Sequence, residues 1–67
     1  MTMLQRGFKA QAKSLREFGY PDVTAADVAA AHAKWLAGED LTDIIYMFCE
    51  SAFNDYPSIF GTRPNHD

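Results

Sequence analysis

The stretch IIYMFCESAF, residues 44–53, is apolar at every position except Glu50 and Ser51, yet it sits in a chain of 67 residues with a net charge of −3. Its buried side decides the fold. Leu41, Ile44, Ile45, Phe48 and Ala52 fall at offsets of 0, 3, 4, 7 and 11, the spacing of a core stripe on a helix expected from Asp40 or Thr42 to about Asn54. Tyr46, Cys49, Phe53 and Tyr56 form a second stripe beside the first and widen the apolar arc to about 200°. Asp43, Met47, Glu50 and Asn54 are left for solvent. A bundle helix ordinarily buries about 100° of arc. The second stripe is therefore surplus, and something must cover it: a second chain, the chain's own tail, or the first helix.

Upstream, VTAADV opens a second helix. Thr24 is placed to accept from the backbone near Asp27, Asp27 sits well against the helix dipole, and Val23 can staple onto Val28. Val28, Ala31, His32, Trp35 and Leu36 then share one face, Ala29 to Ala31 permit close approach by a neighbour, and Gly38 ends the run. The first helix spans Met3 to Phe18, with Leu4, Phe8, Ala12, Leu15 and Phe18 at helical spacing and Thr2 with Gln5 as a capping box. Gly19 serves as its left-handed stop, Tyr20 folds back on Leu15, and Pro21 blocks continuation.

Downstream, DYPSIFGTRPNHD holds three turn formers, Pro57, Gly61 and Pro64, so no long helix is expected there. Tyr56, Ile59 and Phe60 are too apolar for a free tail. The expected architecture is all-α: a small three-helix bundle over residues 1–61, with a loose, irregular C-terminal tail over 62–67. A domain this short buries only about 60% of its unfolded surface, which leaves stability marginal. Cys49 stands alone, so no intramolecular disulfide is possible; a reducing cytoplasm fits better than a secretory route. The longest apolar run is far short of the roughly 20 residues of a membrane span, and the N-terminus lacks the core of a signal peptide.

Charge is segregated along the chain. Residues 1–17 carry Arg6, Lys9, Lys13 and Arg16 against Glu17, a balance of 4 − 1 = +3, whereas residues 18–67 carry two bases against eight acids, 2 − 8 = −6. The four bases are spaced 3, 4 and 3, forming one stripe away from the apolar side of the first helix and able to meet phosphates or an acidic partner. Reactive constellations are lacking. His32, Cys49 and His66 are widely separated single residues, so neither a metal nor any other cofactor is expected, and Cys49 has no base nearby in sequence to activate it. Glu39, Asp40 and Asp43 lack the alternating pattern of a calcium loop and instead offset the dipole of the helix they precede.

Three resemblances add to this reading. AGEDLTDIIYMFCESAF resembles the positioning helix, turn and start of the reading helix of helix-turn-helix proteins, which implies a dimeric DNA-binding regulator; the segment that would read bases, SAFNDYPSIF, has no Arg or Lys. Residues 15–53 are similar to the compact three-helix ubiquitin-associated-like fold, with Phe18, Gly19 and Tyr20 standing at its Met-Gly-Phe/Tyr loop. That similarity implies the three-helix shape. VTAADVAAAHAKWLAGEDLTDIIYMF also resembles short uncharacterised proteins of phages that infect high-GC actinobacteria, implying a small accessory protein that binds a host or phage component. The expected function is thus non-enzymatic: a cytoplasmic protein-interaction module, self-associating as a homodimer through Tyr46, Cys49, Phe53 and Tyr56, with Ile59 and Phe60 completing the contact. Membrane contact is not expected. The alternative is the DNA-binding regulator using the basic stripe.

Overall fold

The computed structural model describes residues 1–62. It contains α1 (Met3–Phe18), α2 (Ala25–Leu36), α3 (Ile44–Asp55) and a four-residue α4 (Pro57–Phe60), with no strand among the described residues. The all-α, small-bundle expectation holds. The expected loose tail lies, apart from Thr62, outside the described residues.

Local chemistry sets the helix limits. Thr2 Oγ1 accepts from the Gln5 N–H at 3.1 Å while Gln5 Oε1 accepts from the Thr2 N–H at 2.9 Å, closing the first capping box. α1 stops at Gly19, whose φ of 130° a side chain would strain; the N–H groups of Gly19 and Tyr20 both return to the Leu15 carbonyl. Thr24 and Asp27 form the second box, with the Thr24 N–H donating to Asp27 Oδ2 at 2.9 Å. α3 is capped by Asp43, whose Oδ1 accepts from the Ile45 N–H at 3.0 Å. The third helix therefore begins at Ile44, two to four residues after the expected start at Asp40 or Thr42, and Leu41 lies in the loop before it.

α2 packs on both α1 and α3, while α1 meets α3 only sparingly. Ala12 of α1 and Ala31 of α2 are fully buried, as small residues must be where two helix backbones approach closely. Around them lie Leu15, Val23, Val28, Trp35, Leu41, Cys49, Phe53 and Phe60. Trp35 and Phe53 are the largest fully buried side chains, their rings 5.4 Å apart. Two residues expected on apolar faces, Phe18 and Leu36, are exposed instead.

The largest departure concerns α3. It buries Cys49 and Phe53, members of the stripe expected to be surplus, while Ile44 and Phe48 of the expected core stripe are exposed. The buried side is displaced by about 100°, one residue's advance along the helix. The cover is the chain's own C-terminal segment. After the break at Tyr56, α4 runs back over α1 and α3 and drops Phe60 into the core, with its ring 4.7 Å from Phe53 and 6.1 Å from Phe8. Gly7 makes the seat: a Cβ there would stand 2.6 Å from Ile59 Cγ2 and 3.0 Å from Phe60 Cε1. His32, buried among Phe8, Trp35, Phe53 and Phe60, fastens the seat through Nε2, 2.8 Å from the Phe60 carbonyl oxygen. The tautomer that pairs with that oxygen carries its proton on Nε2.

Candidate functional site

The six residues expected to meet a partner are divided by this arrangement. Cys49, Phe53 and Phe60 are buried within the single chain and cannot form an outer surface. Ile59 is half-buried against Gly7, and half-buried Tyr46 lies under Lys34, whose Nζ is 5.2 Å from the ring centre. Only Tyr56 is exposed. The interface assignment of Cys49, Phe53 and Phe60 is corrected because a turn at Tyr56 lets α4 reach the stripe intramolecularly, while Tyr46 and Ile59 keep part of their surface outside.

The apolar surplus remains, on the other side of α3. Phe18 is 68% exposed, Ile44 57%, Met47 56% and Phe48 37%. Ile44, Met47 and Phe48 stand at i, i+3 and i+4 and so share one face. Phe18 joins them from the end of α1, its ring 5.2 Å from that of Phe48 in an edge contact, and Tyr20 stacks on Phe18 at 6.3 Å. Alongside this cluster runs a groove between α1 and α3. One hollow of about 250 Å³ is lined by Ser14, Phe18, Phe48, Ser51, Asp55 and Tyr56. A second, of about 260 Å³, shares Gln11, Ser14, Ala52 and Tyr56 with it and extends to Gly7 and Ile59. The groove exists because α1 and α3 are held apart by packing on α2, and its floor is small because Ser14, Ser51 and Ala52 are short. The Gln11 amide reaches across it toward the Phe48 carbonyl, at 3.5 Å.

Carboxylates border this surface. Residues 35–62 contain Glu39, Asp40, Asp43, Glu50 and Asp55 and not one Lys or Arg. Asp43 caps the helix beside Ile44, and Asp55 lines the groove beside Phe18 and Phe48. Desolvation of a docked cation there would be offset by these charges.

Arg6, Lys9, Lys13 and Arg16 are all exposed on α1, as their spacing indicates. Arg16 Nη1 donates to the Val23 carbonyl at 2.9 Å, and with Lys9 and Lys13 it borders a hollow of about 400 Å³ reaching Thr24 and Ala25. Among the described residues no group of three His, Cys, Asp or Glu side chains is placed to hold a metal. Burial first, with the negative charge of Asp27 adding to it, pushes the Cys49 thiol from 9.0 up to about 11, so it stays protonated and weakly nucleophilic at neutral pH. Among the described residues no helix is long and apolar enough to cross a membrane.

The helix-turn-helix similarity is not matched by the geometry of its own stretch. Residues 44–55 form one uninterrupted helix where a turn and a reading helix would stand, and α4, four residues long, is too short to serve as a reading helix. Compared with protein-family models, curated proteins and solved structures, the chain matches none.

The exposed face escaped the sequence because Leu41 was counted with α3. Once Asp43 is recognised as the cap, Leu41 drops out of the helical phase, and Cys49 with Phe53 competes evenly with Ile44 and Phe48. The cap was a usable signal: an Asp directly before an unbroken apolar run is a common helix start.

Proposed function

We propose that this chain is a non-enzymatic protein-interaction module, and that its binding surface is the outer face of α3 together with Phe18, taking a basic amphipathic helix. The observation that supports this is the joint exposure of Phe18, Ile44, Met47 and Phe48 in one contiguous cluster, within a segment that carries five acids and no base. Apolar side chains gathered at one place on so small a surface mark contact sites, and an amphipathic helix laid along a groove presents i, i+3, i+4 anchors of its own. The rim selects the partner's sign: Lys or Arg flanking those anchors would meet Asp43 and Asp55, while an acidic helix would be repelled.

The test is a titration of a labelled helical peptide of alternating Leu and Lys faces, followed by anisotropy at several salt concentrations, with a Leu and Glu peptide as control. Wild type should bind the basic peptide and not the acidic one, and Met47→Lys should weaken binding at least tenfold. Equal binding by wild type and Met47→Lys would overturn the reading.

A second reading is the DNA-binding regulator, favoured by the exposure of all four bases in one line along α1. It requires duplex binding at low salt that falls steeply as salt is added and is lost in a Lys9→Glu, Lys13→Glu variant.

A further inference from the structure

We infer that the basic helix which docks on the α3 face is α1 of a second copy of this chain, so that copies associate head to tail. The inference rests on the interaction-module reading and names its partner. Charge is segregated between the two faces: residues 1–16 hold four bases and no acid, and residues 35–62, which include all of α3, hold five acids and no base. The two complementary faces cannot meet within one molecule. Lys9 precedes Phe18 by nine residues, about two and a half helical turns, which puts it on the opposite side of α1 from the aromatic cluster.

Their dimensions agree. The bases from Arg6 to Arg16 extend over about 15 Å of helix, and α3 from its Asp43 cap to Asp55 over about 18 Å. The basic side also brings apolar area, since Met3 is 64% exposed and Ala10 is exposed beside the stripe. Two-fold pairing of the α3 face on itself would instead set Asp43 and Asp55 of one copy near those of the other, like charge against like charge. A contact joining two different faces repeats, forming a ring if its rotation closes and an open string if it does not. A cluster of four exposed apolar side chains is small beside the roughly 800 Å² per partner of a stable interface, so the association is weak, concentration-dependent and salt-sensitive.

Complementation of two exposed-surface variants tests the geometry. Met47→Lys spoils the α3 face and leaves α1 intact; Lys9→Glu with Lys13→Glu spoils α1 and leaves the α3 face intact. Circular dichroism verifies that both remain folded, as expected for exposed positions. In sedimentation at low salt, wild type should form species beyond a dimer as concentration rises, and each variant alone should lose association at least tenfold. An equal mixture of the two should form a one-to-one dimer that stops there, because only one good face of each sign remains. A wild type that is monomeric at every concentration overturns the inference; if it still binds the Leu and Lys peptide, the interaction-module reading survives, and if it does not, both fall. A wild-type dimer indifferent to the Lys9 and Lys13 changes also overturns the inference, in favour of a two-fold contact.

Discussion

The α1–α2 pair and the α3–α4 pair are held together by different means. Each helix of the first pair begins with a reciprocal capping box, and each buries a small residue, Ala12 in α1 and Ala31 in α2. The second pair has a single side-chain cap, at Asp43, and is joined by large rings, Phe53 and Phe60, with His32 of α2 fastening the end of α4. The outer side of α1 is polar and that of α2 is mostly alanine, so the large apolar side chains of each helix fall chiefly on its inward side. α3 offers two apolar sides, and what selects between them is the surface it meets: the Trp35 and His32 rings accept Phe53, and α4 fills the space beside it. A helix that is apolar over much of its circumference is thus oriented by its neighbours, and the side they reject becomes a surface.

Four outcomes would break or sharpen that contrast. The largest effect is in the ring core. Trp35→Ala and Phe53→Ala should each cost about 3–5 kcal/mol in denaturant unfolding, enough to unfold a domain of this size. Ile44→Ala, on the rejected side of α3, should stay within about 0.5 kcal/mol. Comparable losses at Phe53 and Ile44 would mean that α3 is turned differently.

Removal of α4 comes next. A chain ending at Asp55 loses Phe60 from the core and the acceptor of His32, and should be less stable by roughly 2–3 kcal/mol. Thermal unfolding at several concentrations measures this, and an unchanged midpoint would show that α4 is not the cover of Phe53.

A smaller effect follows from Cys49. Its thiol ionises at about 11 in the folded chain against 9.0 unperturbed. The folded state thus holds its proton more tightly than the unfolded state does. The associated stability is fully present below pH 9 and is lost as pH rises through about 11, amounting to about 2 kcal/mol. Unfolding free energies at pH 8 and pH 11 should differ by that much more in wild type than in Cys49→Ala, which also corrects for tyrosine ionisation.

The smallest effect is diagnostic through its sign. Gly7→Ala improves helix propensity by about 1 kcal/mol, but the new Cβ collides with the branched methyl of Ile59, and overpacking of this kind costs about 1–3 kcal/mol. The full chain should be slightly destabilised by the change, whereas the chain ending at Asp55, which lacks Ile59, should be stabilised. The same sign in both would remove Gly7 as the seat of α4.

Much of α1 and α2 was legible before any coordinates. Thr2, Gln5, Gly19, Thr24 and Asp27 act on backbone groups at most a few residues away, so their roles follow from spacing. The basic stripe was legible for the same reason, since a 3, 4, 3 spacing on a helix whose other side is apolar leaves the bases outside. The candidate site was legible only as a quantity: α3 carries more apolar surface than a bundle helix buries. The side left uncovered was assigned wrongly, because Leu41 lent its phase to a helix it does not belong to, and because a short tail with Pro57 and Gly61 gave no sign that four of its residues would form a turn of helix and return to Gly7.

The sequence alone determined the limits of α1, the start of α2, the all-α class and the segregation of charge, because caps and stops depend on partners within one or two turns. The side α3 buries, the seat of α4 on Gly7 and the bond from His32 to Phe60, 28 residues away, belong to the tertiary structure. Transfer from water favours either side of α3 by similar amounts. Shape therefore decided between them: the rings of Phe53 and Phe60 fit the space beside Trp35 and His32, and Ile44, Met47 and Phe48 were left facing out.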